Sequence, residues 1–101
     1  MVILEIWKDK IMPYILEDSR VEYDSLINEL CELLDGWDND TLSGHLNYVF
    51  FRLAGLLSMD GGYARMAVVS SALSEAQAEF RRRIMAPYED KKIKENGDVK
   101  M

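Results

Sequence analysis

Apolar residues recur at helical spacing in three segments of the chain, and the first segment is the clearest. The sequence SRVE, from Ser19 to Glu22, has the pattern of a capping box, in which the hydroxyl and the carboxylate each satisfy a free backbone N–H. Gly36 suits the end of that helix. The apolar stripe between them consists of Tyr23, Leu26, Ile27, Leu30, Leu33 and Leu34. The opposite, solvated side carries Glu22, Glu29, Glu32 and Asp35.

The second segment predicts a helix from about Leu42 to Ser58, with large groups on two sides. Its core face consists of Leu42, Leu46, Val49, Phe50, Leu53 and Leu57. The other side carries Gly44, His45, Tyr48, Phe51, Arg52 and Gly55. Because a helix with large apolar groups on two sides is usually buried on both, we expect a second contact surface here.

The third segment predicts a long helix from about Tyr63 to Met85, which follows a turn at Met59–Gly62 and which Pro87 ends. Its core stripe consists of Met66, Val69, Leu73, Ala76, Phe80 and Ile84. A second face carries small residues at a spacing of four, three and four: Ala67, Ser71, Ser74 and Ala78. Small residues let another backbone approach closely, so together with Phe51 they predict an oligomer interface. The alternative is a plain solvated face.

Composition and charge narrow the function classes. The 101 residues are 49% hydrophobic and 30% charged, which is typical of one small soluble domain. No apolar run spans a bilayer, the N-terminus does not resemble a signal peptide, and a single Cys31 fits a reducing compartment, so we expect a cytoplasmic protein. The net charge of −6 argues against general nucleic-acid binding.

The charge is unevenly distributed. Residues 17–40 hold nine acidic residues against Arg20 alone, whereas residues 61–101 hold eight basic and six acidic residues. Such polarity could steer association with a partner or attract a small anion to the basic end.

Several kinds of catalytic chemistry find little support. The sequence ELCELLD, Glu29–Asp35, is similar to the acidic helices of all-α nucleoside-triphosphate pyrophosphatases, but these acids point away from the apolar stripe. His45 has no Ser or Cys partner at a diagnostic spacing, and the chain has neither a phosphate loop nor a nucleophile elbow. We predict no catalytic residue, no metal and no cofactor.

Anion binding is better supported by the arginines and tyrosines. Arg52 shares a face of the second helix with Tyr48. The third helix begins with Tyr63 and Arg65, and its last residues include Arg81, Arg82 and Arg83. Arginine suits phosphate, tyrosine can stack on a base, and a helix N-terminus favours negative charge. The alternative is ordinary ion pairing, because a helix C-terminus attracts cations and Arg52 could meet the acidic first helix.

Four stretches resemble a family of small uncharacterised phage and prophage proteins over about residues 12–100. They are MPYI (12–15), HLNYVFFRL (45–53), GGYAR (61–65) and EFRRRIMAPYEDKKIKENGDV (79–99). The family pattern begins at Met-Pro-Tyr-Ile, contains Gly-x-Leu-Asn-Tyr and ends in a long Ala-Pro-Tyr-Glu-Asp-Lys-Lys motif. The family has no assigned function, so the resemblance implies origin and boundaries rather than chemistry.

The chain departs from the family pattern at both ends. The family's start falls at Met12, so residues 1–11 look like an extension or an upstream start, and the end is Lys100-Met101 where the family has Tyr. The motif positions carried over are Asn47, Tyr48, Arg52, Tyr63, Arg82, Pro87, Tyr88, Glu89, Asp90, Lys91, Lys92, Asn96 and Gly97. They imply a structured tail in which Pro87 turns the chain, Tyr88 anchors it and Asn96-Gly97 allows a second turn.

The predicted fold is all-α: a small homo-oligomeric three-helix bundle with an ordered C-terminal tail. Residues 1–11 are the N-terminal extension, and residues 12–101 are a single helical domain whose tail is 86–101.

The predicted function is that of a non-catalytic phage-type binding protein in the cytoplasm of a bacterial host. It would sequester a phosphate-bearing nucleotide signal, such as a cyclic oligonucleotide used in defence, at subunit interfaces. The ligand-binding residues would be Tyr48, Arg52, Tyr63, Arg82, Arg83, Tyr88, Lys91 and Lys92. One alternative is an acidic inhibitor that mimics nucleic-acid charge and binds a host protein. A less favoured one is a magnesium-dependent pyrophosphatase, and a structural phage protein is also open. The partners would be further copies of the chain and either the nucleotide or the host protein, without membrane contact.

Overall fold

The computed structural model of the protein describes residues 14–101, and every regular element in that range is helical. The elements are α1 (Glu17–Leu34), α2 (Asn39–Ser58), α3 (Gly62–Phe80), a π-helical turn (Arg81–Met85) and α4 (Ala86–Asn96). The all-α prediction is confirmed for this range, which fits a small helical bundle. The predictions for the extension 1–11 and for the start of MPYI lie outside the described residues.

The chain divides into two compact units, Met1–Asp60 and Gly61–Met101. The first unit contains α1 and α2, and the second contains α3, the π turn and α4. The single domain at 12–101 stays a prediction. No helix among residues 14–101 is both long and apolar enough to cross a membrane.

Helix α1 begins two residues before the predicted capping box. Its N-cap is Leu16, which has an extended backbone and makes no side-chain cap, so Ser19 and Glu22 lie inside the helix and the capping-box prediction is wrong. Two acids, Glu17 and Asp18, occupy the first turn, where the partial positive charge of the helix end favours them. The helix ends at Leu34, just before Gly36, as the sequence predicts.

Helix α2 begins three residues before the predicted Leu42, because Asp38 caps it. The Thr41 backbone N–H donates to Asp38 Oδ1 at 2.9 Å, and the Thr41 hydroxyl donates to the same oxygen. These bonds hold the pKa of Asp38 below its usual value of 3.8, since they favour the carboxylate form. At the other end, the Ser58 hydroxyl donates to the Ala54 carbonyl at 2.6 Å.

The second unit is one continuous helical path from Gly62 to Asn96, interrupted only by the π turn. Gly62 begins it with φ of 68°, and Gly97 ends it with φ of 87°, both in the region that favours glycine. The Gly97 N–H donates to the Ile93 carbonyl at 2.8 Å, which closes the last turn. Asn96-Gly97, which the tail motif implies as a second turn, is therefore the end of a helix.

The prediction that Pro87 stops the third helix and turns the tail is wrong. Proline lacks an N–H and its ring collides with the carbonyl four residues back, which breaks a regular α-helix. Here the Ala86 N–H donates to the Arg81 carbonyl, five residues back, so the helix widens into a π turn just before Pro87. Pro87 then stands in the first turn of α4, a position that tolerates it.

No side chain among residues 14–101 is buried, so the predicted apolar stripes are present but uncovered. Phe50 is 49% exposed and Phe80 is 53% exposed, although both belong to predicted core faces. Leu30, Leu46 and Val69 are only half-buried. Each helical face therefore presents apolar surface that a further contact could cover.

Candidate functional site

The basic run at the end of α3 coincides with the π turn. Single π turns inside α-helices often occur at functional sites, because they break the regular bonding ladder and re-aim side chains. All three arginines, Arg81–Arg83, lie in this turn. The π turn is therefore the first candidate for a functional site in the second unit.

Glu79 forms ion pairs with two of these arginines. Arg82 Nη2 lies 2.7 Å from Glu79 Oε1, and Arg83 Nη1 lies 4.0 Å from Glu79 Oε2. Both arginine side chains remain more than half exposed, whereas Glu79 is mostly covered. This geometry matches the ordinary ion-pairing alternative for Arg82 and Arg83.

An open groove of about 600 Å³ lies beside the π turn. It is lined by Ala78, Arg81, Arg82, Met85, Ala86 and Glu89. The volume is within the range of small-molecule sites, and the lining combines small and apolar residues with two arginines and one glutamate, Glu89. Because the groove is open to solvent, it would enclose a ligand only after another surface closes over it.

A second open groove of about 470 Å³ lies along the first half of α3. It is lined by Tyr63, Met66, Ala67, Ser70, Ser71, Ser74 and Glu75. Three of the four predicted seam residues line it, and the fourth, Ala78, lines the first groove. The small side chains leave this depression because nothing larger fills the helix face. Tyr63 stands at its end with 85% of its surface exposed.

The tail helix α4 brings two predicted ligand-binding residues together. Lys92 Nζ lies 5.5 Å from the centre of the Tyr88 ring, a cation–π distance, and 3.0 Å from Glu95 Oε2. Lys91 precedes Lys92 on the same exposed helix. The anchoring role expected of Tyr88 is not seen within the described residues, since 62% of that side chain is exposed.

The remaining predicted site residues lie on α2 in the first unit. Tyr48, Phe51 and Arg52 follow one another at helical spacing, and all three are exposed. Phe51 is 79% exposed, which makes it the most open large apolar group of α2. The predicted ligand-binding set thus divides into Tyr48 and Arg52 on one unit and six residues on the other.

The sequence pattern does not predict two features of the structure. Arg81 lines the first groove with Arg82, whereas the predicted ligand-binding set contains Arg82 and Arg83 but not Arg81. In the first unit, Trp37 and His45 stack with ring centres 4.0 Å apart and planes inclined by 14°, which gives His45 a structural contact. The spacing of eight residues across a helix start carries no pattern that would have predicted this stack.

The acids of α1 stay exposed and ungrouped. Glu22, Glu29, Glu32 and Asp35 are all exposed, as the helical pattern predicts. The one base of residues 17–40, Arg20, donates its guanidinium N–H groups to the Ile15 carbonyl at 3.1 and 3.2 Å. Within residues 14–101, no three His, Cys, Asp or Glu side chains are grouped so that they could hold a metal ion.

Comparison with known proteins identifies a family but no activity. A family model described as a domain of unknown function, DUF6899, matches residues 12–99. The match begins at Met12, the residue at which the family resemblance in the sequence also begins. No curated protein matches the chain. No solved structure matches it either.

Proposed function

Since the chain belongs to the DUF6899 family of unknown function, we propose from the geometry that it is a non-catalytic binding protein for a phosphate-bearing nucleotide. The observation that carries the proposal is the groove at the π turn, in which Arg81 and Arg82 stand beside apolar carbons of Ala78 and Met85. Guanidinium groups bind phosphate through paired N–H donors, and the apolar part of the lining suits a base or a sugar.

Two aromatic side chains of the second unit extend the proposal to a nucleotide. Tyr88 lies on the helix that continues the groove, and Tyr63 opens α3 in the same unit. Both rings are exposed, and stacking of a base on such a ring contributes about 1–3 kcal/mol. Lys92 beside Tyr88 adds a positive charge at stacking distance.

The open shape of the groove favours binding between copies of the chain. A lone open groove leaves a nucleotide in contact with water on one side, which weakens each ionic contact. The uncovered apolar stripes supply surface for assembly, and oligomerisation commonly stabilises small domains. The resemblance to small phage proteins supports the finer proposal that the bound nucleotide is a host defence signal, such as a cyclic oligonucleotide, held away from its receptor.

A thermal-shift screen tests this function. The panel contains nucleotides, cyclic di- and trinucleotides, and adenosine-diphosphate-ribose derivatives. A ligand at ~100-fold excess over its Kd stabilises the folded protein by about 2.7 kcal/mol. For a domain of this size that amounts to a rise in Tm of roughly 10 °C or more. We expect one phosphate-bearing ligand to produce such a rise.

Matched variants show whether the shift comes from the groove. Arg81→Ala and Arg82→Ala should lose most of it, and Arg52→Ala tests whether α2 contributes. Lys94→Ala removes the same charge from α4 without touching the groove lining, and it should keep the full shift. A panel without any shift, or a shift that Lys94→Ala loses as fully as Arg82→Ala, would remove the proposed site.

A second candidate is an acidic inhibitor of a basic host protein, and the exposed carboxylates of α1 favour it. Arg20 directs its N–H groups to a backbone carbonyl, so the helix keeps a strongly negative surface that could mimic nucleic-acid charge. The variant Glu29→Lys/Glu32→Lys should then lose a bound basic protein in pull-down, while Arg52→Ala keeps it. Asp90→Lys/Asp98→Lys is the control with the same charge change outside α1.

A further inference from the structure

Four small residues on one face of α3 are arranged symmetrically about a midpoint, and they contribute to the lining of the two grooves. Ala67, Ser71, Ser74 and Ala78 read the same from either end in both identity and spacing, about a midpoint between residues 72 and 73. In a two-fold contact, residue i of one copy meets residue j of the other while j meets i. Two antiparallel copies of α3 therefore place Ala67 opposite the partner's Ala78, and Ser71 opposite the partner's Ser74.

We propose that two copies of the chain pair antiparallel along this α3 face, so that Tyr63 of one copy completes the Arg81–Arg82 groove of the other. Tyr63 and Arg82 lie equally far on either side of the midpoint. At 1.5 Å per residue each is about 14 Å from the two-fold axis, so the pairing brings Tyr63 level with the partner's arginines. Binding of a nucleotide at this shared groove rests on the function proposed above, whereas the pairing of the two copies does not.

The charges of the face favour this direction over a parallel one. A parallel pair would set the two Arg81–Arg83 runs side by side, with six guanidinium groups at one end. An antiparallel pair holds the runs about 28 Å apart, well beyond the ~8 Å screening length at physiological salt. It also makes two identical ends, each with an arginine pair from one copy and a tyrosine from the other.

The grooves provide the space that the pairing needs. Both are open depressions, one along α3 and one at the π turn, and the small residues that line them allow the two backbones to approach to about 8 Å. The Tyr63 groove of one copy then faces the arginine groove of its partner. The arginine groove, open in a single chain, gains an aromatic wall, which is the element a base would stack on.

Disulfide cross-linking tests the pairing without any ligand, in a Cys31→Ser background. Ala67→Cys and Ala78→Cys chains are refolded together and oxidised. We expect a covalent dimer from the mixture, up to about half of the chains, and none from either variant alone. Equivalent residues at position 67 lie about 16 Å apart in the antiparallel pair, far beyond the ~7 Å limit between the Cα atoms of a disulfide. Ser71→Cys, close to the axis, should cross-link by itself.

Two results would overturn the pairing. Cross-linking of Ala67→Cys alone would show a parallel pair. A lack of cross-links in every variant, with helix content unchanged by circular dichroism, would show that another surface covers the face, such as the chain's own first unit. If the cross-links form but the nucleotide panel gives no thermal shift, the pairing stands and only the proposed function fails.

Discussion

At the scale of single residues, Asp38 and Glu79 do more than the sequence pattern shows. Asp38 caps α2 through two hydrogen bonds from Thr41, where a helix start at Leu42 was expected. Glu79 binds two arginines of the π turn from within α3. Because helix prediction relies on the spacing of apolar residues, it treats both acidic residues as ordinary surface charges.

Asp38→Asn should separate the charge of the cap from its geometry. Asn caps helices about as well as Asp but does not titrate. Because the folded pKa of Asp38 is lowered, its charge stabilises the protein above pH 3.8, and this contribution is lost as pH falls through the folded pKa. Denaturation followed by circular dichroism should show the wild type more stable than the variant near neutral pH. The difference should disappear in acid, and a difference that stays constant with pH would contradict the prediction.

Glu79→Gln should strengthen anion binding, because Glu79 competes with phosphate for Arg82 and Arg83. Ion pairs at a protein surface are worth about 0.2–1 kcal/mol, so we expect a Kd that is lower by at most about five-fold for the ligand found in the screen. Asp98→Asn removes the same charge from the same unit without touching the arginines, and it should leave the Kd unchanged. Weaker binding in Glu79→Gln, measured by titration calorimetry, would mean that Glu79 positions the arginines instead of competing for them.

At the scale of elements, the sequence predicts the apolar faces better than the element ends. The helix stripes and the stop before Gly36 follow from periodicity and glycine geometry. The start of α1 does not, because two acids in the first turn support an earlier start than the SRVE pattern. The passage of the helix through Pro87 also could not be read from spacing, since it depends on a backbone bond from Ala86 to Arg81.

Pro87→Ala should convert the π turn into regular α-helix. With an N–H at position 87 and no ring to accommodate, the Ala86 N–H can bond to the carbonyl four residues back, that of Arg82. NMR couplings across hydrogen bonds should show this switch from Arg81 to Arg82. The re-aimed arginines should bind the screened ligand more weakly although all three remain. A π turn that persists in Pro87→Ala would show that the arginine run, and not the proline, causes it.

At the scale of the whole molecule, the uncovered helix faces are the main feature. The chain has the apolar content of a globular protein, yet no side chain among residues 14–101 is buried. Composition predicts how much apolar surface exists, and periodicity predicts where it lies on each helix. Neither predicts what covers it, because that depends on contacts between elements or between copies. In the pairing proposed above, the small-residue face of α3 and the arginine groove are covered by a second copy.

The central claim is that a nucleotide site forms from two copies, and mixing two inactive variants tests it most directly. Tyr63→Ala and Arg82→Ala chains should each bind the screened ligand poorly. Refolded together, they form mixed pairs in which one site has both substitutions and the other has none. Titration calorimetry should then recover wild-type affinity at about a quarter of the sites. A mixture that binds no better than either variant alone, with mixed pairs demonstrated by light scattering and mass spectrometry, would contradict the shared site.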